Sequence, residues 1–157
     1  MSVDKAAWIF QTDSDNEIAP EYFRELWALR EHYDALFGTR RNRKQTAGRA
    51  AISFVSRLIA TLLFGKGVVD VNTPFRLMRS ELLRGVISRI PADTYAPNII
   101  IAGEFAATGA SICNYPVCHA ERTTGVSSIV KWKLCVAAFR SFLQIVRYRL
   151  NRSGNSF

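Results

Sequence analysis

Asp13 and Asp15 stand two residues apart inside Thr12-Asp13-Ser14-Asp15-Asn16-Glu17, just after the apolar run Ala6-Ala7-Trp8-Ile9-Phe10. On an extended segment alternate side chains share a face, so both carboxylates project the same way from the end of a predicted strand. Two hard carboxylates so placed can share one divalent cation. Their oxygen-rich, thiolate-free surroundings favour magnesium or manganese over zinc. Pro20 then opens an amphipathic helix, which puts the pair at a strand-to-helix crevice, the usual ligand position in open α/β sheets. The plainer reading of the same residues is a polar turn, for which Asp and Asn are good formers. An Asp-x-Asp alone does not separate the two, and the rest of the chain must.

Four further segments carry chemistry in a fixed order. Gly38-Thr39-Arg40-Arg41-Asn42-Arg43 follows a short apolar stretch, and Arg49-Ala50-Ala51-Ile52-Ser53 opens a helix. Arginine offers a planar fork of donors that suits phosphate oxygens at any physiological pH. Arg40 falls at a predicted strand end, while Arg49 and Ser53 lie one helical turn apart. A solvated basic loop is the alternative for this charge run. Next comes Asp70-Val71-Asn72-Thr73-Pro74-Phe75-Arg76-Leu77. Asp70 is placed either to cap a turn or to act as a general base toward a hydroxyl acceptor; a phosphate acceptor is already anionic and needs no base. Arg122-Thr123-Thr124-Gly125-Val126-Ser127-Ser128 closes the series.

In this order the motifs resemble those of family 2 glycosyltransferases, in the branch like polyprenyl-phosphate (dolichol-phosphate) mannosyltransferases. The likeness runs from about Trp8 to about Ser128. It implies a GT-A-like, partial α/β fold and an inverting transfer from a nucleotide-sugar donor to a polyprenyl phosphate or a growing glycan. Mg2+ or Mn2+ would be held by Asp13, Asp15 and Glu17, the last standing where that branch often has glutamine. Arg40, Arg49 and Ser53 match residues that hold the acceptor phosphate, and the loop between the two arginines looks shorter than in those enzymes. Asp70 matches the family's aspartate and takes the catalytic role. Pro74 replaces the glycine of the Gly-Phe pair that comes after it, fixing φ and removing a donor. Arg122 and Ser127 fall in the Arg-x-x-Gly-x-Ser-Lys segment on the donor diphosphate side, with Ser128 where lysine is usual. In that family a nucleotide-binding half precedes the Asp-x-Asp. Twelve residues precede Asp13 here, so residues 1–128 correspond to the C-terminal portion of a catalytic domain, and the chain alone is expected to be inactive.

The elements that must position these residues alternate. The patterning predicts a strand over 6–12, a helix over 20–34 with Phe23, Leu26, Trp27, Arg30 and Tyr33 at helical spacing, and a short strand over 35–38. An apolar helix over 48–64 ends at Gly65 and Gly67. Residues 68–79 read as mostly extended, 80–89 as a short helix closed by Pro91, and a helix runs from Pro97 to Gly109. A strand comes next over 111–120 and a long helix over 128–150. This alternation predicts an α/β mixed sheet flanked by helices, ending in an amphipathic helix.

At 157 residues, 48% hydrophobic and 22% charged, the chain can bury a core. Its three cysteines, Cys113, Cys118 and Cys135, have no metal spacing and read as reduced core thiols of a cytosolic protein. The net charge of +8 gathers in two clusters: Arg40, Arg41, Arg43, Lys44 and Arg49, and the C-terminal Lys131, Lys133, Arg140, Arg147, Arg149 and Arg152. Such clusters suit anionic partners. Nucleic acid is disfavoured, because no binding motif accompanies the charge and the site is acidic. Neither apolar run reaches the roughly 20 residues a spanning helix needs: Arg57 interrupts the first and Arg140 the second. Trp132, Leu134, Phe139, Phe142, Leu143 and Ile145, flanked by cations, read as an interfacial helix over 129–157 on an anionic membrane surface, one face of it packing on the sheet. The expected location is cytoplasmic, peripheral at the inner face of the membrane. The competing functional readings are a non-catalytic membrane-surface remnant of such an enzyme and, more remotely, a basic nucleic-acid binder.

Overall fold

The structure, a computed structural model, describes residues 6–14, 17–41, 47–118 and 131–154; of residues 47–50, 52, 131–138 and 152–154 it describes the backbone alone. Four strands are described: β1 (Trp8–Gln11), β2 (Ala35–Arg41), β3 (Arg76–Arg79) and β4 (Ile112–Cys118). The helices are α1 (Tyr22–Leu29), α2 (Ala47–Phe64), α3 (Ser80–Ile87), α4 (Pro97–Ala107) and α5 (Lys131–Gly154). The α/β mixed sheet flanked by helices that the patterning implies is present.

The strand order is β1-β3-β2-β4. β3 runs antiparallel to both β1 and β2, while β4 is parallel to β2. It follows that β1, β2 and β4 share one direction and end at one edge of the sheet. The segment entering β3 begins at that same edge.

Alternation along the strands builds two cores. Ile9, Ala35, Phe37, Met78 and Ile112 face the layer formed by α2, α3, α4 and α5. Phe10, Leu36, Leu77 and Val117 face α1, with Leu26 and Phe75. Side chains such as Phe37, Phe105 and Leu26 are completely enclosed, each contributing roughly 1.5–3 kcal/mol of apolar burial. The helix layer also fits by close approach. A methyl group added at Gly103 on α4 would lie 2.5 Å from the Phe64 ring of α2, so only glycine lets these helices meet there.

Several element boundaries differ from expectation. The helix of 20–34 stops at Leu29 and tightens into a 3₁₀ turn over Arg30–His32. The short strand of 35–38 continues to Arg41, because β4 pairs with it in register as far as Arg41↔Cys118. Only Arg76–Arg79 of the extended stretch 68–79 joins the sheet; the preceding residues form a turn-rich loop. Gly65 ends α2 in the left-handed region at φ +91°, as its position implies. Cys113 is half-buried, and burial raises its thiol pKa. Cys118 is exposed at the end of β4, opposite the exposed Arg41, which corrects the reading of it as a core thiol.

The last helix is two-faced. Ile145 and Tyr148 are buried, while Phe139, Leu143 and Leu150 stand 62%, 50% and 67% exposed. Arg149, a member of the C-terminal cationic cluster, does not simply face solvent. It donates from Nε to the Leu63 carbonyl at 2.7 Å and satisfies one of the unpaired carbonyls at the end of α2. Among the described residues, no helix is long and apolar enough to cross a membrane.

Candidate functional site

The strand directions gather the chemistry-bearing segments at one edge. Asp13 follows the end of β1, Arg40 sits near the end of β2, and Asp70 lies in the loop that enters β3. This edge, beyond the carboxyl ends of the parallel strands, is where α/β sheets place their ligands. The Arg122 and Ser127 segment, which comes after β4 in sequence, lies outside the described residues, as does Asp15.

Arg40 and Asp70, thirty residues apart in sequence, meet side by side. Arg40 Nε donates to Asp70 Oδ2 at 2.7 Å and Nη2 to Oδ1 at 3.0 Å; Nη2 also reaches the Asn72 carbonyl at 3.4 Å. Such a fork-to-fork pair is short, charge-assisted and geometrically specific. The side chains are 8% and 21% exposed, so the pair is shielded more than an ordinary surface bridge. Arg40 thus spends one edge of its guanidinium on Asp70. Asp70, in turn, accepts from Arg40 on both carboxylate oxygens.

These two residues line a cleft of about 330 Å³ together with Thr39, Ser53, Ser56, Arg57 and Asn72. Arg40, Ser53 and Asp70, which belong to three separate sequence motifs, therefore share one cavity. Arg49 precedes Ser53 by one turn on α2, and its side chain is among those not described. A second, larger groove of about 730 Å³ adjoins the cleft, with Ser56 and Asn72 lining both. Val55, Ile59, Tyr95, Phe139, Phe142 and Ile145 give it a mainly apolar wall. It runs between α2, the start of α4 and α5. Gln144 fixes α5 beside it, accepting from the Tyr95 amide at 2.7 Å and donating to the Asp93 carbonyl at 3.2 Å.

The loop presenting Asp70 is pinned at both ends. Asn114 on β4 accepts from the Val69 amide at 2.8 Å and donates to the Gly67 carbonyl at 2.7 Å. On the other side Arg76, the first residue of β3, is completely buried. Its Nε, Nη1 and Nη2 donate to the carbonyls of Thr73 (2.6 Å), Asn98 (3.0 Å) and Val71 (3.1 Å). Burial pushes its pKa down to about 10, Asp70 and Asp13 oppose that shift, and Arg40 adds to it. Asn98 also accepts from Gln11 Nε2 at 3.1 Å, tying the end of β1 into the same network.

On the cation side the structure describes Asp13, exposed, and Glu17, half-buried. Among the described residues no three His, Cys, Asp or Glu side chains form a metal-holding group. The side chains around position 15, from Asp13 to Glu17, offer oxygen donors alone, which suits a hard cation.

Sequence reasoning passed over four contributors: Arg57, Arg76, Asn114 and the outer face of α2. Arg57 had a signal, since it continues the stripe of Arg49 and Ser53 at four-residue steps. Phe54, Val55, Leu58 and Leu62 stand 65%, 50%, 47% and 75% exposed, so α2 presents an exposed apolar face of its own. A buried strand arginine and a clamping asparagine have no local signature. No protein-family model matches this chain.

Proposed function

We propose that this chain serves in sugar transfer, as the metal- and acceptor-binding part of a GT-A-like, inverting glycosyltransferase of the family 2 type. The observation that carries the reading is the joining of a polar, arginine-containing cleft to an apolar groove at the ligand edge of the sheet. An amphiphilic phosphate matches that pair of cavities better than a free glycan does, so a polyprenyl phosphate is the preferred acceptor. Its phosphate oxygen attacks the anomeric carbon as the bond from that carbon to the nucleoside diphosphate breaks, and the diphosphate leaves with the electron pair. No proton has to be removed, which agrees with an Asp70 already committed to Arg40. In this role Asp70 orders the arginine rather than acting as a base. Asp13, Asp15 and Glu17 would hold Mg2+ or Mn2+, which when bound neutralises the departing diphosphate. Arg122 and Ser127 are assigned to that same diphosphate by their motif.

The exposed apolar faces of α2 and α5, with their arginines, fit a peripheral position on an anionic membrane, where such an acceptor resides. The same faces support the second reading, a membrane-surface protein without catalysis. Manganese titration by calorimetry separates the two. The unaltered chain should release or absorb heat that Asp13→Ala and Asp15→Ala lose. Indistinguishable traces would leave only the surface-binding reading. Transfer of labelled sugar from nucleotide-sugars to polyprenyl phosphate, by the chain with a nucleotide-binding half supplied, tests the reaction itself.

A further inference from the structure

The cleft contains a cation that none of the motifs singles out. Arg57 lies four residues beyond Ser53 on α2, so the two share a helix face, and both line the cavity. Arg57 is exposed and has no hydrogen-bond or ion-pair partner among the described residues. Arg40, by contrast, is 8% exposed and bound through two nitrogens to Asp70. Within the cleft the charges of Arg40 and Asp70 cancel, and Arg57 is left as the uncompensated charge among the described lining residues. A phosphate entering from solvent would meet Arg57 first. To reach the engaged edge of Arg40 it would have to displace a carboxylate that already occupies an oxyanion's place.

We infer that the cleft seats a phosphate monoester on Arg57 and Ser53, and that Asp70 is a built-in counter-ion competing with that phosphate for Arg40. The inference rests on the proposed acceptor site and goes further, because it names a different principal contact and gives Asp70 a restraining role. Ser56 lines both cavities, so a phosphate seated here would have its ester substituent directed along the apolar groove. Charge-assisted hydrogen bonds are among the stronger polar contacts. Loss of the Arg57 contact should therefore weaken binding about ten- to hundredfold.

Calorimetric titrations with geranyl phosphate, geraniol and inorganic phosphate test this on the full chain and on Arg57→Gln, Arg40→Gln and Asp70→Asn. Thermal melts run alongside; Arg57 is exposed and pairs with none of the described residues, so its variant should melt as the parent does. Expected are geranyl phosphate binding tighter than inorganic phosphate and geraniol, a large loss in Arg57→Gln, a smaller one in Arg40→Gln, and a severalfold gain in Asp70→Asn. Unchanged affinity in Arg57→Gln with a large loss in Arg40→Gln would overturn the inference and leave the acceptor site standing. Weaker binding in Asp70→Asn would overturn the competing role of Asp70. Failure of the parent chain to bind geranyl phosphate would overturn the acceptor site, and the inference with it.

Discussion

Replacing Arg76 by methionine sets two large effects against each other. The guanidinium is completely buried and reaches three backbone carbonyls, those of Thr73, Asn98 and Val71. Hydrogen bonds from a charged donor contribute roughly 1.5–3 kcal/mol each, so their combined loss would cost roughly 5–9 kcal/mol. Against this, burying the cation is itself unfavourable. Its pKa, held down at about 10 by burial that outweighs the attraction of Asp70 and Asp13, corresponds to a net penalty of roughly 3 kcal/mol on the charged form that methionine would not incur. The carbonyls win, because methionine cannot satisfy them. Arg76→Met should therefore be destabilised by about 4 kcal/mol, lowering the melting temperature by about 10 °C in a chain of this size. Arg76→Lys, which keeps the charge but not the fork, should fall between the two. Denaturant unfolding gives the free energies, and hydrogen exchange gives the locality. The Thr73 amide, bonded to the Asp70 carbonyl, should lose protection in Arg76→Met before the sheet amides do. A methionine variant as stable as the parent would refute the reasoning and put Arg76 with those buried charges whose apolar replacement is neutral or stabilising.

Gly103→Ala should lose about 1–3 kcal/mol in chemical denaturation, since the new methyl meets the Phe64 ring at 2.5 Å and α2 must shift on α4. The Tyr115 phenol donates to Glu25 Oε2 at 2.6 Å, which raises its pKa; ultraviolet titration should find it ionising later than in Glu25→Gln. Because the folded-state value is the raised one, any stability from this tie is present below the ordinary tyrosine range and is lost as pH climbs through the folded-state pKa. Flotation with phosphatidylglycerol vesicles should fall when Phe54 and Leu62 are both changed to serine, as it should for Phe139 and Leu143, and added salt should weaken it. Loss in the α5 variant with none in the α2 variant would count against a two-helix surface.

Much of the fold was legible because it depends on local periodicity. The apolar run before Asp13, the short apolar stretch that becomes the start of β2 and the glycine ending α2 are signals contained within a few residues. Arg40 suited anion chemistry by its type, while the motif order and its resemblance singled out Ser53 for the acceptor phosphate and Asp70 for the catalytic role. Tertiary structure alone decided their relationship. The length of β2 follows from its pairing with β4, and the antiparallel insertion of β3 brings Asp70 to the end of β2. There a long-range ion pair turns residues of two separate motifs into partners and leaves Arg57, among the described lining residues, as the cleft's uncompensated cation. Burial of Arg76 is likewise invisible from its neighbours in sequence, since the carbonyls that hold it come from a loop and from a helix start 22 residues away. Side-chain type and spacing are properties of a segment. Charge pairing and desolvation are properties of whatever the fold sets beside it, and those came from the packing of the sheet.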